Sequence, residues 1–366
     1  MSTGSSSLRL LSGVGAKGPA CFVLQAAGRR LLLDLGEGPP PGKLPEVDGI
    51  GPLDALILSH GHKDHVGGLS LLGKTLGAPP VYATASVATA LPKNLDLRPL
   101  SVGGRTDVLG IEVTTGRNGH APGGVWLHFA VGGGVLYTGD WSAESTLYAY
   151  DPPTKPAATA LLDCSYGGYD KPIAECWREL APFVERGPLL LPVPANGRGP
   201  EIALQIFRRG FGEISVDDAM RDALARLTTS DRASLRAGAV EDVARLAAAA
   251  QPIDAARPRG VMLAASADGS SGATARLLAA WEQTAEPAIA FTGYVTPGTP
   301  AERLVKSGRG KFVRWNVHPR LSDVVALVRA IKPQTVIPAF CDRAQLPLLA
   351  EKLAPARVTM EQTVEL

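Results

Sequence analysis

The sequence predicts an α/β fold in which an αββα sandwich is combined with a second α/β domain. From about residue 8 to residue 115, short apolar strand signals alternate with short helical signals, as in PPVYAT, SVATALPKNL and DVLGIEVTTG. This β-rich alternation is typical of two packed sheets covered by helices. Between residues 188 and 300, strand, Gly/Ser-rich loop and helix follow one another three times, which predicts parallel strands with their loops at one edge. A length of 366 residues is sufficient for two domains.

The composition is ordinary for a soluble globular protein. Hydrophobic residues make up 45% and charged residues 20% of the chain, and the formal net charge is only +2. This charge neither indicates nor excludes a nucleic-acid partner. The four cysteines are scattered without CxxC spacing, and we expect reduced thiols in a cytoplasmic protein. Because there is no long apolar stretch at the N-terminus or elsewhere, we expect neither a secretion signal nor a membrane helix.

The first strand signals lead to an acidic side chain. Residues 21–24 and 30–34 are predicted strands, and Gly36 ends the second of them. Asp34 lies at the end of its strand, near where the histidine-rich loop described next is expected to fold. We interpret Asp34 as a carboxylate that orients this loop by hydrogen bonds; direct metal ligation is the less favoured alternative.

The most informative segment is HGHKDH, which follows a predicted buried strand at residues 55–58. Three of the six histidines of the chain lie in it, together with one aspartate. Alternate residues of an extended segment point the same way, so His60 and His62 can reach one metal ion, while Asp64 and His65 can face a neighbouring position. Imidazole nitrogen combined with carboxylate oxygen suits zinc. A polar surface loop with chance histidines is the disfavoured alternative.

Further polar residues follow strands downstream. His120 lies in a glycine-flanked loop and can complete a three-histidine site, and Asp140 ends a strand at residues 135–137 and can bridge two metals. Asp163 again ends an apolar strand; it is either a turn-forming aspartate or, as the repeated pattern favours, an active-site residue. His128 lies within the apolar segment WLHFAV, and we expect a core histidine there and not a ligand.

The ordered set HGHKDH, NGH, YTGDWS and LLDCSYGG resembles the β-CASP branch of the metallo-β-lactamase superfamily. These are nucleic-acid phosphodiesterases that include RNase J and the endonuclease that cuts pre-mRNA 3′ ends. The resemblance implies a cap domain inserted after the LLDCSYGG segment. We therefore expect a discontinuous metallo-β-lactamase domain at residues 1–170 and 313–366, and a β-CASP-like insert at residues 171–312.

The loops of the insert are candidates for binding the phosphates of a substrate. The loop NGRG opens a predicted helix, and its backbone N–H groups together with Arg198 can hold an anion, although a plain turn with a surface arginine explains the segment equally well. Because the family has a similar Gly-Arg loop facing its cleft, we favour the functional interpretation. The predicted substrate-binding residues are Asn196, Arg198, Ser266, Ser270 and Thr296.

A basic run follows the third strand of the insert and ends before the returning segment. It is either a solvated face or a wall of the cleft that contacts the phosphate backbone, and the sequence does not decide between them. The run consists of Arg303, Lys306, Arg309, Lys311 and Arg314.

The returning segment departs from the family at two points. His318 falls at a family histidine, but the usual Ser-Ala-His-Ala-Asp is here Asn-Val-His-Pro-Arg. At the end of the last strand, RNA-acting members have a histidine that binds the second metal, whereas DNA-acting members have an apolar residue. Phe340 occupies this position and leaves three possibilities: a DNA substrate, a replacement ligand at Asp342 or Cys341, or a weakened second metal.

The resemblance implies two Zn²⁺ ions and a phosphodiester hydrolysis in which a hydroxide shared by the two ions attacks phosphorus. Asp64, Asp163 and His318 are the implied catalytic residues, and Asp163 and His318 are expected to face each other. The substrate would be single-stranded nucleic acid, with RNA favoured over DNA, and a homodimer is a possibility. The implied metal ligands are His60, His62 and His120 for one ion, Asp64 and His65 for the other, and Asp140 between them.

Two other functions compete with this hypothesis. A small-molecule hydrolase, such as a thioesterase or lactonase, could use the same metal core, but such an enzyme needs no second domain over its cleft. A non-catalytic family member is slightly favoured by Phe340. The complete set of six polar ligands argues against it, because a scaffold has no need to keep them.

Overall fold

Two seven-stranded sheets and one six-stranded sheet form the core of the protein. The computed structural model describes residues 6–73 and 75–366, so residues 1–5 of the predicted first domain lie outside the described part. The first sheet has the spatial order β20 (Thr363–Glu365), β1 (Ser7–Ser12), β2 (Cys21–Ala26), β3 (Arg29–Leu33), β4 (Ala55–Ile57), β5 (Val81–Ala83) and β6 (Leu97–Pro99).

The second sheet packs face to face on the first. Its spatial order is β19 (Arg357–Val358), β18 (Thr335–Ala339), β11 (Thr159–Asp163), β10 (Val135–Tyr137), β9 (Val125–Phe129), β8 (Ile111–Arg117) and β7 (Gly104–Val108). The third sheet, which we call the cap sheet, is entirely parallel. Its order is β14 (Gln251–Pro252), β13 (Ile214–Val216), β15 (Val261–Ala265), β12 (Leu189–Val193), β16 (Ala288–Phe291) and β17 (Gly310–Phe312).

Ten α-helices lie in the described residues. They are α1 (Lys63–Val66), α2 (Ala85–Ala88), α3 (Ile173–Arg186), α4 (Arg198–Arg208), α5 (Asp218–Thr228), α6 (Ala239–Ala249), α7 (Gly272–Trp281), α8 (Pro300–Lys306), α9 (Leu321–Ile331) and α10 (Leu346–Lys352). Within residues 6–73 and 75–366, no helix has both the length and the apolarity needed to cross a bilayer.

The alternation of side chains along each strand builds the layers. In β3, Leu31 and Leu33 point into the core between the first and second sheets, whereas Leu32 points to the outer layer on the first sheet. The outer face of the second sheet packs against α9 and α10 through residues such as Leu327 and Leu349. The predicted αββα sandwich is therefore confirmed.

The cap sheet uses the same alternation. Leu189 and Leu191 of β12 pack with α4, α5 and α6 on one face, and Leu190 packs with α7 and α8 on the other. The six cap strands lie in the chain between β11 and β18, so this α/β unit is inserted into the sandwich, as predicted. The exact domain limits stay a prediction. Sequence analysis found three strands between residues 188 and 300 and missed β13 and β14, which are only three and two residues long.

Parallel pairing brings the polar strand ends together. β10, β11 and β18 run parallel and adjacent, so the residues after them, including Asp140 and Phe340, emerge at the same edge of the second sheet as Asp163. β3 and β4 are also parallel neighbours, which puts Asp34 beside the loop that carries His60. The active-site candidates therefore meet where the two sheets and the cap converge.

Candidate metal centre and active site

Three imidazoles and one carboxylate converge on a single point. His62 Nδ1 lies 3.2 Å from His60 Nε2 and 3.0 Å from His120 Nε2. The Asp140 Oδ2 atom is 3.9 Å from His60 Nε2 and 3.6 Å from His120 Nε2. Taken together, one atom from each of these four residues lies within 4.8 Å of the others. This N₃O set matches the ligands of zinc.

The other ring nitrogens point outward to hydrogen-bond acceptors. His62 Nε2 lies 3.2 Å from the carbonyl oxygen of Asn196, and His120 Nδ1 lies 2.6 Å from that of Val317. His60 Nδ1 lies 3.1 Å from the Ser59 hydroxyl oxygen. We assign the proton of each ring to these outward nitrogens, so the three inward nitrogens carry lone pairs that face one another. Three lone pairs that face one another cannot form hydrogen bonds among themselves. A cation bound between them would satisfy all three nitrogens.

Burial keeps these rings neutral. It lowers the pKa of His60 and His120 well below the usual histidine value, and it lowers that of His62 as well. A metal ion binds the neutral form of histidine, so burial prepares these three residues as ligands.

Asp34 accepts four hydrogen bonds and orients the histidine loop, as predicted. Its carboxylate accepts from the Ser59 backbone N–H at 2.7 Å and hydroxyl at 2.6 Å, from the Tyr137 hydroxyl at 2.5 Å, and from His65 Nδ1 at 2.7 Å. Since Nδ1 is held by Asp34, the Nε2 atom of His65 is aimed at Asp140. Ser59 and Tyr137 are supporting residues that sequence analysis missed, because nothing in their motifs distinguishes them from other strand residues.

A second group is formed by Asp64, His65 and Asp140. His65 Nε2 lies 3.2 Å from Asp140 Oδ1, while the other oxygen of Asp140 faces the first group, so this carboxylate lies between the two. Burial alone would lower the pKa of His65, but the charges of Asp140 and Asp34 outweigh it and raise that pKa well above the usual value. A metal ion at this second position therefore competes with a proton on His65.

The segment that carries Asp64 packs closely against Gly36, which follows the end of β3. The Asp64 carbonyl oxygen accepts a hydrogen bond of 2.8 Å from the Ala20 N–H, and a Cβ added at Gly36 would lie 1.8 Å from the same oxygen. Only glycine allows this close approach. The glycine that sequence analysis used to end a strand thus also positions a candidate ligand.

Asp163 and His318 face each other, as the resemblance implies. His318 Nδ1 lies 2.9 Å from Asp163 Oδ2 and 3.7 Å from Asp140 Oδ2. With Nδ1 held by Asp163, we assign His318 Nε2 as the nitrogen available to a substrate in the cavity that this residue lines. The Tyr166 hydroxyl accepts a hydrogen bond of 3.0 Å from the Val317 N–H and supports this segment.

Phe340 lies where the family has a histidine, and neither predicted replacement joins the cluster. The Phe340 ring lies 5.3 Å from that of His65. The side chain of Asp342 is exposed and accepts a hydrogen bond of 2.7 Å from the Ala344 N–H. Burial raises the pKa of Cys341 to about 12, so this residue is a neutral thiol and a poor ligand. In the described part of the chain, the second group contains Asp64, His65 and Asp140 alone.

A cavity of about 1160 Å³ lies between the sandwich and the cap. Metal-ligand candidates and predicted substrate residues line it together, among them His62, Asp64, His318, Arg198, Ser266 and Thr296. Asn196 and Ser270 are absent from its lining: the Asn196 side chain accepts a hydrogen bond from Arg226 at 2.9 Å, and Ser270 is exposed. Asn196 contributes to the site through its carbonyl oxygen, which orients His62 and could not be predicted from the sequence.

Arg198 faces the cavity as a cation without a charge partner. Among the residues that the structure describes, no carboxylate forms an ion pair with it, and its buried Nε has no hydrogen-bond partner. Burial lowers its pKa to about 10, so the guanidinium remains charged at neutral pH. A Cβ added at Gly293 would lie 2.0 Å from Arg198 Nη1, and this glycine therefore makes room for the guanidinium.

The residues of the basic run do not all fit one interpretation: some lie on a solvated face and one lies on the wall of the cleft. Arg303 and Lys306 pair with Glu282 and Glu302 on the surface. Arg309 donates to backbone carbonyls, and only Arg314 of the five residues lines the large cavity. Most of the run is therefore a solvated or structural face.

His128 is buried in β9 with Nε2 2.9 Å from the Pro156 carbonyl, and it takes no part in the metal centre, as predicted.

Comparison with known proteins agrees with this geometry. Residues 14–180 match the family model of the metallo-beta-lactamase superfamily. The matched segment covers a little under half of the chain. The metallo-beta-lactamase match and the three relatives below confirm the resemblance stated from the motifs.

The relatives named here are all nucleic-acid proteins. The transcription termination factor FttA of Cenarchaeum symbiosum is 28% identical, with 55% of this chain and 38% of the relative covered. Ribonuclease TTHA0252 of Thermus thermophilus is 29% identical, with 52% of each chain covered. The endoribonuclease YSH1 of Yarrowia lipolytica is 28% identical, with 53% of this chain and 28% of the relative covered. This chain thus spans about half or less of the length of each of these relatives.

A solved structure supports the fold over the whole chain. A crystal structure of a protein of unknown function from Enterococcus faecalis V583 superposes with a TM-score of 0.64 at 16% identity. The match covers 99% of this chain and 100% of that one. The combination of metallo-beta-lactamase sandwich and cap is therefore found in another protein of similar extent.

Proposed function

We propose that this protein is a metal-dependent phosphodiesterase that hydrolyses RNA, and that its substrate is single-stranded. The observation that carries the proposal is the set of inward lone pairs around Asp140, at the floor of a cavity covered by the cap and lined by Arg198. The names of the relatives, a ribonuclease, an endoribonuclease and a transcription termination factor, support RNA as the substrate. Divalent ions, zinc by the ligand chemistry, would activate water and neutralise charge on phosphorus when bound.

The residues of the chain itself would divide the remaining tasks. Arg198, with no carboxylate partner among the described residues, offers charge-assisted hydrogen bonds to a phosphate oxygen. Asp163 orients His318 through Nδ1, and His318 Nε2 can then donate a proton to the leaving oxygen. The Asp64 carboxylate would add its negative charge to that of Asp140 at the second metal group. The proposed location is the cytoplasm, in line with four free, buried cysteines, and a homodimer stays a prediction.

The test of this proposal combines metal analysis with a comparison of substrates. We expect the purified protein to contain zinc by mass spectrometry and to cleave labelled single-stranded RNA faster than single-stranded DNA of the same sequence. A chelator should abolish the cleavage, and added zinc should restore it. Hydrolysis of thioesters or lactones without cleavage of RNA would contradict the proposal and support a small-molecule hydrolase. Tightly bound zinc with no turnover of any substrate would support a non-catalytic member.

We further propose that the second metal is held more weakly than the first. The second group has one imidazole, whereas the first has three, and Phe340, with its ring 5.3 Å from that of His65, stands where the resemblance places a further histidine ligand. Phe340 adopts φ of +61°, a left-handed conformation that histidine tolerates better than phenylalanine.

Phe340→His should therefore strengthen binding of the second ion. We expect about tenfold tighter binding by calorimetry, and two retained ions per chain after dialysis against a weak chelator where the unchanged protein retains one. Phe340→Leu is the matched control and should behave as the unchanged protein. Two equally tight ions in the unchanged protein would contradict the proposed weakness.

A further inference from the structure

Two large aromatic side chains are exposed on the wall of the cavity that belongs to the cap. In the described residues, only three large hydrophobic side chains are exposed: Leu44 at 37%, Tyr294 at 52% and Phe312 at 43%. Tyr294 and Phe312 both line the cavity that contains the metal-ligand candidates, whereas Leu44 does not. Exposed aromatic surface that is confined to a functional cavity indicates a ligand that covers it.

The two rings are positioned by neighbouring strands of the cap sheet. Phe312 ends β17 and is paired in register with Phe291, the last residue of β16. Tyr294 lies three residues after Phe291, in the loop whose Gly293 makes room for Arg198. Because β16 and β17 are adjacent and parallel, both aromatic residues emerge at the same edge of the sheet, close to the candidate phosphate contact.

Cations lie over both rings. Lys17 Nζ is 5.1 Å from the centre of the Tyr294 ring, and the Arg314 guanidinium is 5.5 Å from that of Phe312. Arg314 also lies 4.7 Å from the ring centres of Tyr166 and Tyr169. Neither cation has a carboxylate within 4.0 Å in the part of the chain that the structure describes. A wall that combines exposed rings with unpaired positive charge fits a ligand that carries both flat apolar surfaces and negative charge.

We propose that Tyr294 and Phe312 form a stacking platform for unpaired bases of the RNA strand, with Lys17, Arg198 and Arg314 contacting its phosphates. The inference rests on the proposed nuclease function and narrows its substrate class to RNA with splayed, unpaired bases. In a duplex the base faces are covered by their neighbours, so a platform of this kind excludes paired RNA. Stacking on aromatic rings is sequence-tolerant, because every base has a flat face.

The platform is tested by binding and not by cleavage. An unstructured RNA decamer with a fluorescent label is titrated with the protein in the presence of a chelator, and anisotropy gives the dissociation constant. A ribose-phosphate decamer without bases serves as the second ligand. We expect Tyr294→Ala and Phe312→Ala each to weaken binding of the RNA about tenfold. Neither variant should change binding of the baseless strand, and Tyr294→Trp and Phe312→Trp should preserve the affinity for RNA.

Leu44→Ala is the matched control, because it removes the third exposed hydrophobic side chain at a site outside the cavity. Its affinity for both ligands should equal that of the unchanged protein. Thermal unfolding verifies that each variant folds, and light scattering gives its subunit number. RNA binding unchanged in the alanine variants would overturn the platform, as would an equal loss for both decamers. A changed subunit number with unchanged RNA affinity would overturn it too and would assign the rings to contact with a second copy.

The result of the binding titration does not depend on whether the nuclease proposal is correct. Because the titration is carried out without metal, loss of affinity in the alanine variants supports the platform whatever the rate of cleavage. Absence of cleavage by the zinc-loaded unchanged protein would refute the nuclease and leave the measured base contacts intact.

Discussion

Asp140→Asn is expected to reduce RNA cleavage by roughly a thousandfold or more and to remove metal from the protein. Asp140 belongs to all three groups of candidate ligands, and its two oxygens face different imidazoles. Asparagine keeps the shape of the side chain but loses the charge that two cations at adjacent positions require. The loss of transition-state stabilisation would be about 4 kcal/mol. Single-turnover cleavage and zinc content by mass spectrometry measure the two effects.

Asp342→Asn is the matched control for this change. Asp342 also lines the cavity, but it is exposed and its carboxylate is engaged by the Ala344 N–H. We expect its metal content and rate to be those of the unchanged protein. If Asp342→Asn loses metal as Asp140→Asn does, Asp342 is a ligand after all and replaces the histidine missing at Phe340. Normal cleavage by Asp140→Asn would exclude the proposed bridging role.

His318→Ala is expected to lower the rate of cleavage about a hundredfold to ten-thousandfold while the metal content is unchanged. His318 is held by Asp163 at 2.9 Å and lines the cavity, so its loss removes a proton donor without removing a member of the three-histidine group. The fold should survive, since the ring lies at the surface of the cavity. A good leaving group departs without help from a proton donor, so rates measured on RNA with a poor and with a good leaving group should differ more in the variant if proton transfer to the leaving oxygen has been lost.

Measurement of the zinc content distinguishes a proton donor from a metal ligand at His318. Asp140, Asp163 and His318 also form a group with metal-binding geometry. Loss of zinc from His318→Ala would therefore reassign His318 as a ligand, and full activity would remove it from the mechanism. Asp163→Asn provides the comparison: it keeps the imidazole but weakens its orientation, and we expect a loss of about tenfold to a hundredfold.

Much of the fold was predictable because its strands are short and strongly apolar. Residues 135–137 and 160–162 lie in strands as predicted, and the polar residues after them line the site. The end of the histidine-rich segment forms the short helix α1 from Lys63, which is followed by a separate 3₁₀ turn at Leu69–Leu71. The strands β13 and β14 were missed because they are only three and two residues long and pair only within the folded cap sheet, β13 with β15 and β14 with β13.

The site was less predictable where main-chain atoms or distant residues decide it. Asn196 was predicted as a phosphate contact from its motif, but its carbonyl oxygen orients His62 and its side chain contacts Arg226. Cys341 was a candidate ligand by position, yet burial keeps it a neutral thiol. Tyr294 and Phe312 carried no signal at all, since exposure is a property of the folded surface.

By itself, the sequence determined which chemical groups the protein carries and where its main apolar strands lie along the chain, because ligand types and apolar periodicity are local properties of the chain. Only the tertiary structure decided which ring nitrogens point inward, that Asp140 lies between two groups, and that the exposed rings of the cap share a cavity with them. These features depend on parallel strands from distant parts of the chain ending at one edge, and on acceptors such as Asp34 and the Val317 carbonyl that fix each imidazole from behind.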